Sequence, residues 1–539
     1  MKKELSAVNM AIVIAIAVAF SAVNAFVSMY LGLKTGFSNG IDILLIFISF
    51  VIVTAMGIRA RSKVLLYMCA IIAGSTGVAV SYIDGLGAII LSGKPFDIPD
   101  YAMMGILALG GAIGLLMSYY FSGYFLKSDF PWPGSRAQAS LINMLTAGKN
   151  DLSQRASAMR LGASAAISAG IAGIRSVGAL PDIFGSVNLG ISVSPMMAGI
   201  GLLIGWRSCL QVAAGALASA IVYFLLESPD TDYSTHMRDP WIFSPAVAMM
   251  VTTAVITLYL VAKPALASFR VRRTEKAVPA PDGGVRSNGF TNYRWAALCA
   301  AVACAVLMMA LFPGVPVWVF LISLSIAVIF MVVETRGRAE MGIGIGMSSF
   351  IILLIVGLAF DNIIPLLVLE GFVVSTILTF SLMFSVQKVA EFCGVDRVGL
   401  TVMALIGVIT GSVLCVPFLR FFSSLYGIGS VSLPAPYSVM WLELADSTVA
   451  KVISPSLNPF LILAGVCIAI GLYRYKISPI VVSIGLMLPV STSAAVTAGG
   501  IIAYAIEKKG LLKGDNGITA SGLMIGDIVV SILASLVSL

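Results

Sequence analysis

The chain is poor in the residues on which soluble enzymes depend. Only one of its 539 residues is a histidine, His236, so a zinc or haem site built on paired histidines is excluded within a single chain. The seven cysteines, Cys69, Cys209, Cys299, Cys304, Cys393, Cys415 and Cys467, form no CxxC pair. Most sit in apolar runs, which reads them as small core residues without a redox role. Charge is the scarcest commodity: Asp, Glu, Lys and Arg together make up 11% of the chain, against roughly 25% in soluble proteins. A water-soluble fold is therefore excluded. A nucleotide-binding GxxxxGK[ST] loop, a filter-like repeat and a GxGD element are also missing, which argues against a pump subunit, an ion channel and an intramembrane aspartyl protease. With no His-assisted nucleophile expected either, the chain is read as a non-enzyme that needs no cofactor and no resident metal.

What is present is apolar. Hydrophobic residues are 59% of the total, enough for about 16 transmembrane helices at roughly 20 residues each. Lys2 and Lys3 precede an apolar stretch beginning at Ala11, but that stretch continues to Leu33, so it reads as a first transmembrane helix rather than a cleaved signal. Apolar runs fall near 6–30, 41–58, 64–83, 102–125, 158–177, 188–205, 208–226 and 242–262. After a basic stretch they resume near 294–312, 316–333, 342–360, 363–385, 398–420, 457–473, 477–489, 494–506 and 518–538. The fold class expected is thus an all-α polytopic membrane protein of about 16–17 transmembrane helices. The net charge of +8 is a matter of orientation rather than of nucleic-acid binding. With the N-terminus cytoplasmic, Arg59/Arg61/Lys63, Lys127/Arg136/Lys149/Arg155/Arg160, Arg336/Arg338, Arg474/Lys476 and Lys508/Lys509/Lys513 all fall inside, and the acidic segment Glu227 to Asp239 falls outside.

Three pairs of segments recur in the same order. GLKTGFS (Gly32 to Ser38) lines up with GIGIGMS (Gly342 to Ser348), FPWPGS (Phe130 to Ser135) with LPAPYS (Leu433 to Ser438), and SPMMAGIGLLIG (Ser194 to Gly205) with SPIVVSIGLMLP (Ser478 to Pro489). The spacings shrink from 310 to 303 to 284 residues, as a shorter second copy produces. The expected organisation is a first transmembrane repeat over 1–262, a basic cytoplasmic linker over 263–293, a linking helix over 294–315 and a second repeat over 316–539, the two repeats inverted in topology. The prolines of the PxP elements precede short amphipathic stretches, Arg136 to Ala147 and Val439 to Thr448, which suit re-entrant or interfacial hairpins as well as ordinary loops.

Inverted repeats place a solute site near the bilayer midplane where they meet. Lys34 ends an apolar helix and suits an anionic partner; Thr35, Gly36, Ser194, Ser478, Ser491, Thr492 and Ser493 supply hydroxyls or close backbone approach. Asp42, Glu370 and Asp527 each interrupt an apolar run and are candidate proton carriers. Asp361 lies nearer a span end, and Arg175, Arg207 and Arg420 are expected to snorkel at the interfaces.

NAFVSMYLGLKTG (Asn24 to Gly36), FPWPGS, LGISVSPMMAGIGLLIG (Leu189 to Gly205), LPAPYSVM (Leu433 to Met440), ISPIVVSIGLMLPVSTS (Ile477 to Ser493) and ASGLMIGD (Ala520 to Asp527) run in one order along nearly the whole chain. In these the sequence resembles the oligopeptide transporter (OPT) family, which includes the yellow-stripe-like metal-chelate transporters. The resemblance implies a secondary active, proton-coupled importer of small peptides, peptide-derived compounds or metal chelates, integral to the cell membrane. It adds Asn24 and Tyr30 to the substrate-binding candidates. Its partners would be the solute, protons and the lipid bilayer, with a homodimer left open and no nucleic acid. Two positions depart from the family pattern: Asp527 stands where glutamate is common, and Arg136 and Gln138 follow FPWPGS in place of small residues.

Overall fold

A computed structural model describes residues 7–35, 42–58, 61–95, 98–126, 130–146, 152–228, 231–271, 288–312, 314–341, 350–395, 397–429, 433, 435–452, 456–509 and 516–537. The side chains of Lys34, Thr35 and Asp42 lie outside the description, as do Gly36 and the segment 342–348. The first half comprises α1 (Ala7–Thr35), α2 (Asp42–Ala55), α3 (Ser62–Leu91), α4 (Asp100–Phe125), α5 (Pro133–Thr146), α6 (Leu152–Ser176), a ribbon of β1 (Ile183–Phe184) and β2 (Ile191–Ser192), α7 (Pro195–Leu226), α8 (Tyr233–Arg238) and α9 (Pro240–Val271). After α10 (Asn288–Leu311) follow α11 (Val317–Met341), α12 (Phe350–Gly357), α13 (Ile363–Phe392), α14 (Val398–Tyr426), α15 (Pro436–Val449), α16 (Pro459–Arg474), α17 (Pro479–Met487), α18 (Val490–Lys509) and α19 (Asn516–Val537). The protein is an all-α polytopic membrane protein. Seven of the described helices are long and apolar enough to cross a bilayer.

Several helices begin where the sequence supplies a side-chain cap. Ser194, Asn362 and Asn458 accept from backbone N–H groups of the first turn, and proline follows Ser194 and Asn458 at the position where its missing N–H costs nothing. Within the spans expected near 188–205, 342–360 and 477–489, the described helix is shorter than a crossing requires. Residues 183–192 form the antiparallel ribbon, with Ile183 opposite Ser192 and Phe184 opposite Ile191. The described part of 342–360 is the eight-residue α12, and α17 has nine residues, about 12–14 Å of helix against a hydrocarbon core of about 30 Å. Hydropathy counts apolar residues without registering where the backbone turns. At the other end of the first half, α9 continues to Val271, into the stretch read as linker.

The helices sort into two bundles. In the first, α3 and α13 lie side by side and are buried along nearly their whole length, as helices that are apolar all round must be. The two meet where Gly77 faces the Thr379 backbone and Gly85 faces the Leu367 carbonyl. Around them stand α1, α4, α10, α11, α14 and α15. The flanking contacts are reciprocal. On α4, Gly110 and Gly114 press on the Phe372 and Thr376 carbonyls of α13; on α14, Gly407 and Gly411 press on Ile71 and Ser75 of α3. A small residue every fourth position lets the backbones approach this closely. The second bundle holds α6, α7, α9 and α16 to α19.

The PxP elements cap the first bundle in the same reciprocal manner. Trp132 and Ala435 both adopt left-handed backbone, at φ 45° and 46°. Trp132 N donates to Ala339 O at 2.8 Å, and Ala435 N donates to Leu33 O at 2.7 Å. One turn on, Ser135 Oγ donates to Ser385 O at 3.1 Å and Ser438 Oγ to Ile83 O at 2.6 Å. The matched ends of α1 and α11, Leu33 and Ala339, are 306 residues apart, four fewer than the Gly32/Gly342 alignment assumes. Both PxP elements thus lead into helices, α5 and α15, that are buried along one face.

Gly407→Val would drive a side chain into the Ile71 carbonyl and push α14 off α3. A destabilisation of about 1–3 kcal/mol is expected for overpacking of this kind, read as a lowered melting temperature in detergent. Gly471→Ala, in α16 with no atom near the added Cβ, is the control and should melt at or above the parent temperature.

Candidate functional site

The second bundle is organised around two interrupted helices. Within α7, Gly205 takes φ 77° and ψ 161°, a conformation outside any helix. The chain turns so sharply there that Cys209 Sγ lies 3.4 Å from the Gly201 carbonyl oxygen, although eight residues span about 12 Å of straight helix. The second interruption separates α17 from α18 at Leu488, in extended backbone with ψ 148°, followed by Pro489. Each short segment packs against the other interrupted unit through glycine. Gly201 lies on the Val496 carbonyl and Gly485 on that of Val212; Gly215 lies on the Val482 carbonyl and Gly499 on that of Ala198. In both pairs the partners exchange at a spacing of 284 residues.

The interruptions lie at different levels of α18. Gly205 is followed by Trp206, whose ring is 5.3 Å from that of Tyr504. The Leu488 break is covered instead by two irregular segments. Tyr233 Oη of α8 donates to Met487 O at 2.6 Å, and Ser491 N donates to Val187 O in the turn of the β1–β2 ribbon at 3.1 Å. Asn188 of the same turn donates to Thr231 O at 3.0 Å, which ties the ribbon to the segment before α8. Backbone groups freed by breaking a helix inside a membrane must be satisfied by neighbouring protein, and these contacts do so.

Both short segments begin with a Ser-Pro pair whose serine donates to a carboxylate. Ser194 Oγ donates to Asp527 Oδ2 at 2.8 Å, and Met196 N in the first turn of α7 donates to the same oxygen at 2.9 Å. The negative charge therefore sits at the positive end of that helix. Arg175 of α6 completes the arrangement. Its guanidinium lies 3.1 Å from Asp527 and 2.9 Å from Asp182, and it donates to Val193 O at 2.6 Å. At the corresponding start of α17, Ser478 Oγ donates to Glu340 of α11, which pairs with Arg336 at 2.7 Å. Gln211 accepts from Ser478 N at 3.1 Å. The Ser478–Glu340 hydrogen bond joins the two bundles.

The expected site residues are thus dispersed. Ser194 and Ser478 begin the two short segments. Ser491, Thr492 and Ser493 form the first turn after the Leu488 break, with Ser491 and Ser493 buried and Thr492 half-buried. Asn24 lies in the first bundle, where its Nδ2 donates to Thr76 Oγ1 at 2.5 Å. Tyr30 packs on the aromatic face of α14, 5.8 Å from Phe422 and 6.2 Å from Tyr426. Glu370 is buried on α13, next to the glycine contact with α3. Lys34, Thr35 and Asp42 are placed by backbone only, and Gly36 falls outside the described residues.

Arg175 does not snorkel; it is 16% exposed and holds Asp527. Arg420 pairs with Asp100, and Arg207 is exposed over the Trp206 ring. The residues passed over by sequence reasoning are Glu340 and Arg336, together with Glu334 and Arg338, a buried pair at 3.2 Å from which Arg338 Nε donates to Ser381 on α13 at 2.9 Å. They stand together at the end of one apolar run, where charge is read as a cytoplasmic flank. The signal that could have found them is two arginines flanked by two acids, each arginine four residues from an acid, as Glu334–Arg338 and Arg336–Glu340. His236 was likewise underestimated. Its Nδ1 lies 2.7 Å from Glu227 Oε1 and its Nε2 2.8 Å from Ser219 Oγ. This is the order of a hydrolase triad, but Ser219 is 1% exposed and so closed to a substrate.

Replacing Arg175 by Met leaves the Asp527 carboxylate buried without its counter-ion. A loss of about 3–5 kcal/mol is expected for the single variant, most of it recovered when Asp527→Leu is added, measured by denaturation in detergent.

Among the described residues no cluster of His, Cys, Asp and Glu could hold a metal ion. No curated protein matches the chain. The family model described as OPT oligopeptide transporter protein matches residues 11–538, nearly the whole chain, and the protein belongs to that family of transmembrane oligopeptide transporters.

Proposed function

We propose that the protein is a secondary active, proton-coupled importer that moves small peptides, peptide-derived compounds or metal chelates by alternating access. The observation that carries this reading is the reciprocity of the contacts. Where Gly201 meets Val496, Gly485 meets Val212, and the same exchange holds for Gly215 and Gly499. Two copies related by a simple shift would make one contact of each pair; only an operation that returns to the start when applied twice, a two-fold rotation, makes both. The PxP contacts and the α4/α14 glycine contacts follow the same rule. Together with the basic residues, which suit a cytoplasmic N-terminus and a linking helix α10, this supports two inverted repeats meeting at α3 and α13 in one bundle and at α7, α17 and α18 in the other.

In such an arrangement the second bundle moves against the first, and its two short segments open towards opposite faces. Ser491, Thr492 and Ser493 stand at the Leu488 break, where unwound backbone and hydroxyls can take a peptide's polar groups. Lys34 at the end of α1 would attract a carboxylate. Of the proton-carrying candidates, Glu370 at the meeting of the central helices is the one we assign to coupling. Asp527 stays an anchor, since Arg175 holds one of its oxygens and Ser194 and Met196 N the other, and Asp42 is secondary.

The test is uptake into proteoliposomes. An inward proton gradient should drive accumulation of labelled di- or tripeptides or of a metal chelate. Glu370→Gln should abolish accumulation while leaving solute exchange across equal gradients. Undiminished proton-driven accumulation in Glu370→Gln would remove Glu370 from that role, and a parent protein that moves none of these solutes would overturn the reading itself.

A further inference from the structure

His236 is the one side chain of its kind in the sequence, and imidazole is the group that ordinarily changes charge near neutral pH. It is 2% exposed, with Glu227 Oε1 on one nitrogen and Ser219 Oγ on the other. The edge of its ring stands against Tyr223, with centroids 5.4 Å apart and planes at 88°. A hydroxyl both donates and accepts. When the imidazole is neutral, Nδ1–H donates to the carboxylate and Ser219 donates to Nε2. When it is protonated, both ring nitrogens donate and Ser219 accepts. The site therefore holds either form without losing a ring hydrogen bond, and Glu227 supplies the negative charge that the imidazolium requires. Glu227 Oε2 is buried with no hydrogen-bond partner among the described residues.

The position of the site gives the proton an effect. His236 and Tyr233 lie one turn apart on the six-residue α8, and Tyr233 holds the Met487 carbonyl at the Leu488 break. Thr231, before α8, holds Asn188 of the ribbon, whose neighbour Val187 takes Ser491 N–H on the far side of the same break. Among the described residues the charged and titratable groups around the imidazole are few. On α7 they are Tyr223 and Glu227; on α8 and its flanks Asp232, Tyr233, Arg238 and Asp239. The facing parts of α9 (Pro240–Thr253) and α17 carry none, and Asp182 at the base of the ribbon is held by Arg175. Burial pushes the Tyr233 hydroxyl well above its ordinary range, with a smaller contribution from Tyr437, so it stays a donor.

We propose that His236, positioned by Glu227 and Ser219, is a proton-binding site of the transport cycle, and that its charge state sets whether α8 and the β1–β2 ribbon stay closed over the Leu488 break. The balance is simple: neutral imidazole takes one proton from the facing solution, the imidazolium is neutralised by Glu227, and the same proton leaves when the site faces the other side. This rests on the proton-coupled reading above.

The experiment uses the full chain in proteoliposomes loaded with a pH-sensitive dye, following proton entry and solute accumulation together, with solute exchange at equal gradients as the control. His236→Gln should exchange solute like the parent, lose solute-dependent proton entry and lose accumulation. Glu227→Gln removes the carboxylate that His236 Nδ1 meets, so the pH profile of its accumulation should differ from the parent's. Ser219→Ala, which cannot switch between donor and acceptor, should slow proton entry while sparing exchange. Should His236→Gln not fold, Glu227→Gln and Ser219→Ala carry the test through the pH profile, which a purely structural role would leave unmoved. Parent-like proton entry and accumulation in His236→Gln, or an unshifted profile in Glu227→Gln, would overturn the assignment while proton-coupled transport stands. A parent that accumulates solute without proton entry would instead overturn the coupling on which it rests.

Discussion

The constraint from which the structure follows is that a backbone inside a bilayer must find all its hydrogen-bond partners within the protein. An uninterrupted helix meets it alone. A helix broken at Gly205 or Leu488 does not, and much of the second bundle exists to compensate. Ser194 caps the first short segment, Ser478 ties the second to Glu340, Asp527 takes the first-turn N–H of Met196, Tyr233 takes the Met487 carbonyl, and Val187 takes Ser491 N–H. The ribbon and α8, which look like incidental loops, are the price of one break.

The same constraint explains where charge is spent. Asp527 and Glu340 are costly in an apolar setting, yet each neutralises an arginine and fixes the start of a short helix. The two anchors are unequal in reach. Asp527, Ser194 and Arg175 all belong to one bundle, so that anchor can travel with it. The Ser478–Glu340 bond runs from α17 to α11 and crosses between bundles, so any displacement of one bundle against the other must act on it.

Much of this was legible in the sequence because the relevant signals are periodic or local. Long apolar runs located α4 and the starts of α1, α3, α13 and α14 to within two residues, though those four helices run five to eight residues further, and the repeated Ser-Pro and PxP patterns fall at the starts of both short segments and at both left-handed tips, Trp132 and Ala435. The ribbon before α7 was missed because its apolar residues are exposed on an irregular turn yet read as a continuation of the next span. The pairing of Arg175 with Asp527 was missed for a different reason: the partners are 352 residues apart, and each looks self-sufficient in its own window. Glu334, Arg336, Arg338 and Glu340 were read through the rule that charge collects at membrane edges. That rule describes loops, and these four lie on the last turns of a helix packed against α13 and α17.

The contrast between the glycine crossings and the cover of the break has a mechanical consequence. In the first, glycine at Gly110, Gly114, Gly407 and Gly411 brings backbone onto backbone, leaving no space into which α3 and α13 could slide. In the second, glycines make equally close contacts where α7 crosses α17 and α18, where α6 meets α19 and where α9 meets α16, while the Leu488 break is closed by single hydrogen bonds from Tyr233 and Val187. Individual hydrogen bonds are worth about 1 kcal/mol net, so segments held by one or two of them open at little cost, whereas glycine-packed helices do not. In the proposed cycle the element able to respond to a proton or a solute is therefore the cover over the break, and the tight glycine crossings would carry that local opening into movement of a bundle.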